Sequence, residues 1–240
     1  MIDLTLLTDT CRDWSLALTE RQLGQFAAFA ELLGEWSEHT NLVAASTLAD
    51  LTRRHLLDSL ALATAWEAPT PPASMADIGA GGGFPGLPLA ILWPGTQVTL
   101  IESIGKKAAF LRQAAERLGL ERVAVVSQRA EEVGRAPAHR ERYQLVTARA
   151  VTRLAPLAEY CLPLCALGGL WFAPKGADVD EELAEARPAI RILGGAVREA
   201  FDVQVPGAPA RSLIVVAKTN PTPPAYPRAV GIPSRHPIGA

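Results

Sequence analysis

Asp77 closes a short apolar run and opens onto Gly79-Ala80-Gly81-Gly82-Gly83-Phe84-Pro85-Gly86, with a second acid, Glu102, further along. Glycines let a backbone approach a ligand with no Cβ in the way. The helix that follows such a turn directs its free N–H groups and positive dipole end at a carboxylate or phosphate. Glu102 ends Val98-Thr99-Leu100-Ile101, about 20 residues beyond the loop, where a carboxylate accepts hydrogen bonds from ribose hydroxyls. The layout predicts an adenosine-type cofactor at the carboxyl edge of a first strand. Without a ligand, the same glycines would make a tight strand-to-helix turn and nothing more.

The glycine spacing narrows the cofactor. A dinucleotide fingerprint needs G-x-G-x-x-G directly after the strand. Counted from Gly79, the third glycine position is Phe84; counted from Gly81, the frame fits, but Gly79 and Ala80 intervene. The run D-x-G-x-G-G-G-F-P-G is more similar to the first motif of class I S-adenosylmethionine methyltransferases. In that reading Asp77 lies near the cofactor's ammonium and the turn, Gly81 included, wraps its methionine moiety. An NAD-dependent oxidoreductase stays open as the alternative.

Other reactive residues are scattered. The four histidines form no triad and no metal cluster, and His55 with Asp58, three residues apart, reads as a helical pair packed near the site. Cys11, Cys161 and Cys165 have no metal-ligand spacing; Cys161 and Cys165 share a helical face and read as small buried apolar side chains. No catalytic acid, base or nucleophile is assigned, and no metal is expected.

The 240 residues suffice for one full domain with a small accessory element. No charge lies between Ile78 and Ile101, yet three prolines and six glycines interrupt that stretch, so it cannot be a membrane helix. The N-terminus carries Asp3, Asp9, Arg12 and Asp13 and lacks the layout of a signal peptide, which makes the cytoplasm the expected compartment. The net charge is -2, but from Val203 onward Arg211, Lys218, Arg228 and Arg235 occur with no Asp or Glu. Segregated basic charge in an acidic chain points to a local anionic partner or to a solvated tail.

These residues need a scaffold. Thr19-Glu20-Arg21-Gln22 predicts a capping box opening a helix, and Thr47 is expected to cap a second helix from Leu48 toward Trp66. Residues 1–70 are thus expected as a helical extension and 71–240 as the main domain, joined by Pro69-Thr70-Pro71-Pro72. Expected strands are Ser74–Ile78, Gln97–Ile101, Arg122–Val126, Gln144–Thr147, Gly169–Ala173, Val197–Val205 and Ser212–Lys218. Helices are expected at Pro85–Trp93, Lys106–Leu118, Leu154–Cys161 and Asp178–Leu193. The alternation predicts an α/β, Rossmann-like doubly wound sheet, and Pro206-Gly207 lets the last two strands pair as an antiparallel hairpin. A βα series ending in a hairpin is the arrangement of class I methyltransferases.

Several segments match one family in consistent order. They are Asn41-Leu42-Val43-Ala44, Arg54 through Leu60, Asp77 through Pro88, Glu102 through Lys107, Arg129-Ala130-Glu131-Glu132, Ala148-Arg149-Ala150, Lys175-Gly176, Arg211-Ser212-Leu213 and Tyr226-Pro227-Arg228 with Gly231 and Pro233. Together they resemble the RsmG family, also called glucose-inhibited division protein B, bacterial 16S rRNA guanine-N7 methyltransferases. The resemblance implies S-adenosylmethionine contacts at Gly79 and Phe84, ribose binding at Glu102 and Ser103, and adenine bordered by Ala130 and Glu131. It places Arg149 between the cofactor's methionine end and the target base.

Guanine N7 carries a lone pair and no proton, so its attack on a sulfonium methyl requires alignment, not a general base. Arg53, Arg54, His55, Arg153, Lys175, Arg211 and Arg228 are the candidate RNA contacts, with Arg149 beside them. A structured RNA would be read by shape, backbone and a splayed base. The expected partner is 16S rRNA, free or in the small ribosomal subunit, bound by a monomer, with neither DNA nor membrane. A small-molecule methyltransferase and a nucleotide-sensing module without turnover remain the competing classes.

Overall fold

The computed structural model describes residues 2–177 and 179–239. Seven strands form one sheet: β1 (Ser74–Ile78), β2 (Gln97–Ile101), β3 (Val123–Val126), β4 (Tyr143–Thr147), β5 (Cys165–Gly176), β6 (Gly195–Val203) and β7 (Arg211–Lys218). Their spatial order is β3-β2-β1-β4-β5-β7-β6. β1 to β5 run parallel, and β7 is antiparallel to both β5 and β6. The expected hairpin is present, inserted so that its second strand pairs with β5. Strand order reverses between β1 and β4, and a doubly wound sheet opens its ligand crevice at that point, outside the carboxyl ends of the strands.

Helices α5 (Gly86–Leu92) and α6 (Gly105–Arg117) cover one face together with the N-terminal helices α1 (Leu4–Asp13) and α2 (Glu20–Ser37). The predicted capping box opens α2: Gln22 N–H donates to Thr19 Oγ1, and Thr19 N–H donates back to Gln22 Oε1 at 2.8 Å. Phe26 and Phe29 of α2 are wholly buried in one cluster with Phe84 and Phe110. Burial of each such ring contributes about 1.5–3 kcal/mol. Gln22 and Gln25 extend the joint with hydrogen bonds to the carbonyls of Ile91 and Leu118. The N-terminal helices thus share the hydrophobic core of the sheet.

The other face is covered by α7 (Ala130–Val133), α8 (Leu154–Cys161), α9 (Asp180–Ile192) and the C-terminal turn α10 (Ile232–Arg235). The expected start of α9 at Asp178 lies outside the described residues. Cys161 and Cys165 are buried in this layer, and burial pushes the Cys165 thiol up to about 12, so both behave as small apolar groups.

One expectation fails between residues 45 and 65. In place of one regular helix capped by Thr47 there is a short α3 (Ala45–Leu48), a π-helical turn at Thr52–Leu57, α4 (Asp58–Leu60) and a 3-10 turn at Ala61–Ala65. Thr47 caps nothing; its hydroxyl donates to the Ala44 carbonyl. The widened π turn carries Arg54 and His55, and such turns cluster at functional sites. No described helix is long and apolar enough to cross a membrane.

Candidate active site

Two adjoining depressions lie at the carboxyl edge of the sheet. The first, about 240 Å³, is lined by the strand ends Ile78 and Ile101, by Gly79 and Ser103, by Gln128 to Glu131, and by Val151, Thr152, Tyr160 and Ser234. Gly79 sits at φ +67°, and a Cβ there would lie 2.7 Å from Val151 Cγ2, so the position demands glycine on both counts. Glu102 ties the loops together: its carboxylate accepts from Gly81 N–H at 2.9 Å and from Ile104 N–H at 2.8 Å. A carboxylate has about four acceptor directions, so the buried Glu102 keeps capacity for ribose hydroxyls.

Two predicted cofactor contacts have other positions. Asp77 is wholly buried and its Oδ2 accepts from Gly86 N–H at 2.9 Å, anchoring the start of α5 to β1. Its other oxygen, Oδ1, is buried with no hydrogen-bond partner among the described residues. Burial raises its pKa to about 7, partly offset by the Gly86 N–H and by Arg149. Phe84 is also buried, away from the first depression; its ring lies 5.2 Å from Phe29 and 4.8 Å from His55, with the Arg149 guanidinium 5.1 Å above it. The aromatic ring is a floor for those two polar groups.

The second depression, about 290 Å³, gathers residues far apart in sequence: Arg54, His55, Asp58, Arg149, Lys175 and Arg211, with Thr47 and Thr152 at its edge. Arg149 Nη1 is 2.7 Å from Asp58 Oδ2, and Arg211 Nε is 3.4 Å from Asp58 Oδ1, so one buried carboxylate holds two guanidinium groups. Arg149 Nη2 lies 2.7 Å from His55 Nδ1. Arginine can only donate, so Nδ1 is the acceptor and the ring proton sits on Nε2, donated to Thr47 Oγ1 at 2.9 Å. Burial, followed by the charges of Arg149, Arg211 and Arg54, lowers the His55 pKa to about 3. Lys175 Nζ bonds the Thr152 carbonyl and Glu182, steadying the segment that separates the two depressions. The Arg54 guanidinium has no hydrogen-bond or ion-pair partner among the described residues.

The remaining predicted RNA contacts lie elsewhere. Arg53 pairs with Asp50 and donates to the Pro206 carbonyl, which ties the π turn to the β6–β7 hairpin. Arg153 pairs with Glu185 on the surface. Arg228 forks onto the buried carboxylate of Glu159 and is not available to a phosphate. Thr152, Tyr160 and Ser234 line the first depression without having been singled out in the sequence. None belongs to a local motif, and Ser234 arrives from the far end of the chain.

The profile of the GidB family, rRNA small subunit methyltransferase G, matches residues 22–209. A relative named ribosomal RNA small subunit methyltransferase G from Roseiflexus sp. (strain RS-1) is 52% identical over 98% of this chain and 100% of its own length. The chain belongs to this family. Among solved structures, that of a putative O-methyltransferase from Klebsiella pneumoniae superposes with TM-score 0.54 at 16% identity, covering 82% of this chain and 90% of that one. TYW2 from M. jannaschii, solved with AdoMet, gives TM-score 0.53 at 11% identity over 75% and 78% of the two chains. These two likenesses concern the fold, which is that of class I methyltransferases. Membership decides between the nucleotide cofactors that the glycine spacing left open: S-adenosylmethionine is the methyl donor of this family. The first depression fits it, with apolar strand ends and Ala130 for a flat adenine, Ser103 beside the buried Glu102 for hydroxyls, and a Cβ-free passage at Gly79.

Proposed function

We propose that this methyltransferase transfers the methyl group of S-adenosylmethionine to N7 of a guanine in 16S rRNA, directly and without a general base, acting as a monomer. When bound, the cofactor supplies an electrophilic methyl on a sulfonium. The protein binds, orients and excludes water. Gly79, Ser103, Ala130, Glu131 and Thr152 line the donor cavity, and the basic pocket begins on the other side of Thr152. A base inserted there would come within reach of the methyl end.

The observation that carries the reading is the state of the basic pocket's two potential proton acceptors. His55 is neutral, its Nδ1 lone pair is filled by Arg149, and its only ring proton is donated to Thr47. Asp58 is held by Arg149 and Arg211. His55 cannot take a proton from an amine or hydroxyl at either ring nitrogen without first losing one of those bonds. An acceptor that already carries a free lone pair suits such a pocket, and a ring nitrogen is one. The guanidinium groups of Arg54, Arg149 and Arg211 supply donors for the guanine O6 acceptor and for phosphates.

Product mapping tests the assignment. N7-methylated guanine becomes labile to reduction and aniline, so treated 16S rRNA should break at a single guanine after incubation with the enzyme and cofactor. Single-turnover transfer should show no requirement for a deprotonated protein base between about pH 6 and 9. A methyl group found on an exocyclic amine or a ribose hydroxyl would overturn the proposal.

A further inference from the structure

The segment Tyr226-Pro227-Arg228 with Gly231 and Pro233 stands out in the sequence, yet none of it lines the basic pocket. It follows the other route, along α7 and α8. Arg140 grips its approach through the carbonyls of Thr222, Pro223 and Tyr226. Glu159 of α8 is fully buried and accepts from Arg228 N–H at 2.6 Å, from Nε and from Nη2 at 2.7 Å. Arg228 Nη2 also donates to the His236 carbonyl at 2.8 Å, closing the segment into a loop pinned at both ends.

Between those pins the segment meets the donor cavity. Gly231 N–H donates to Glu131 Oε1 at 2.9 Å, and Ser234 Oγ lies 2.7 Å from the Tyr160 hydroxyl. Glu131, Tyr160 and Ser234 all line the cavity that holds Gly79 and Ser103. We infer that residues 226–238 form the outer wall of the cofactor cavity, and that Arg228 and Glu159 are positioning residues that set affinity for S-adenosylmethionine and not for RNA. This rests on the assignment of the cofactor to that cavity. The physical reason is the cost of a lone buried carboxylate: loss of the fork takes from the wall its anchor on α8, a helix that the core itself holds through Leu154, Leu157 and Cys161. With the wall displaced, the Glu131 and Tyr160 groups lose their partners and the cavity opens to water on that side.

The test uses the full-length enzyme, with S-adenosylmethionine and 16S rRNA varied separately. Arg228→Lys keeps the charge and loses the fork; it should raise KM for the cofactor about tenfold, as expected for losing a charge-assisted hydrogen bond. The rRNA KM and kcat at saturating cofactor should stay within about twofold. Tyr160→Phe removes one hydroxyl, leaves the ion pair intact, and should move the cofactor KM in the same direction by a smaller factor. In the wild type, saturating S-adenosylhomocysteine should slow tryptic cleavage after the exposed Arg235, a readout that survives even if Arg228→Lys does not fold. A rise in rRNA KM with unchanged cofactor KM would return the segment to RNA binding, and unchanged values for both would leave it a mere tail; either overturns the inference. Ala130→Leu, which fills the cavity from α7, separates the two levels. If it leaves cofactor affinity intact, the cavity assignment falls with everything built on it; if it weakens binding while Arg228→Lys and Tyr160→Phe do not, the wall alone falls.

Discussion

His55 shows how a single residue can be placed beside a reaction and kept out of it. Its proton-accepting nitrogen is occupied by Arg149, and burial, followed by three guanidinium charges, lowers its pKa to about 3. In the unfolded chain the same imidazole titrates near its ordinary 6.5. Below that pH the unfolded state binds a proton that the folded state refuses, so stability falls on acidification and is retained above about pH 6.5. His55→Gln should therefore lose less stability than the wild type between pH 7 and 5, by on the order of 2 kcal/mol in urea unfolding. Asp77 acts in the opposite sense, because its raised folded pKa favours the protonated native state at low pH, and it cancels in the comparison of variant with wild type. A variant that tracks the wild type across this range would contradict the neutral, arginine-capped imidazole.

At the scale of elements, holding the scaffold and lining the cofactor cavity are separable duties, the first of the glycine loop and the second of α7. Gly86 lets α5 sit against the sheet: a Cβ there would press on Leu100 and lie 2.7 Å from Asp77 Oδ2, which is itself bonded to the Gly86 N–H. Gly86→Ala should cost about 1–3 kcal/mol by overpacking, read as a lower denaturant midpoint at unchanged slope. Ala130, at the start of α7, lines the cavity and packs only at the margin of the core. Ala130→Leu should weaken S-adenosylmethionine binding at least about tenfold by calorimetric titration, with a smaller loss of stability than Gly86→Ala. Loss of stability in Ala130→Leu equal to that in Gly86→Ala would mean that the loop and α7 are scaffolding alone.

For the whole molecule, the question is how an acidic chain engages an anionic polymer. The net charge is -2, but the fold brings Arg54, Arg149, Lys175 and Arg211 to one pocket lined by a single carboxylate, Asp58, which Arg149 and Arg211 share. Arg54 has no protein partner among the described residues, and Arg211 remains about one-third exposed. Arg54→Glu and Arg211→Glu should each weaken RNA binding and reduce the slope of log affinity against log salt by roughly one, because each phosphate contact releases a counterion. Arg153→Glu, whose wild-type side chain pairs with Glu185 on the surface, serves as the comparison and should change both quantities less. Equal effects from all three would mean that a diffuse surface potential, and not this pocket, captures the RNA.

The alternation of strand and helix, the glycine loop and the acid at Glu102 were legible in the sequence because each rests on a local rule: period, turn chemistry and distance along the chain. All seven expected strands are present, and the hairpin followed from one Pro-Gly turn. The family resemblance singled out Arg54, His55, Arg149, Lys175 and Arg211 by type and order, and those residues do meet. What each side chain faces was decided by packing. The π turn that carries Arg54 and His55 has no sequence signature, since it reflects how residues 45–65 fit against the sheet and the β6–β7 hairpin. Asp77 and Phe84 stand in the motif as expected ligand contacts, and packing sets the first beneath the helix it anchors and the second beneath the arginine it supports. Arg228 reads as a basic tail residue until Glu159, 69 positions away in sequence, is found buried beneath it. Charge type is a property of the residue; whether that charge meets solvent, a ligand or another charge is a property of the tertiary structure, because burial makes an unpaired ion too costly to leave alone.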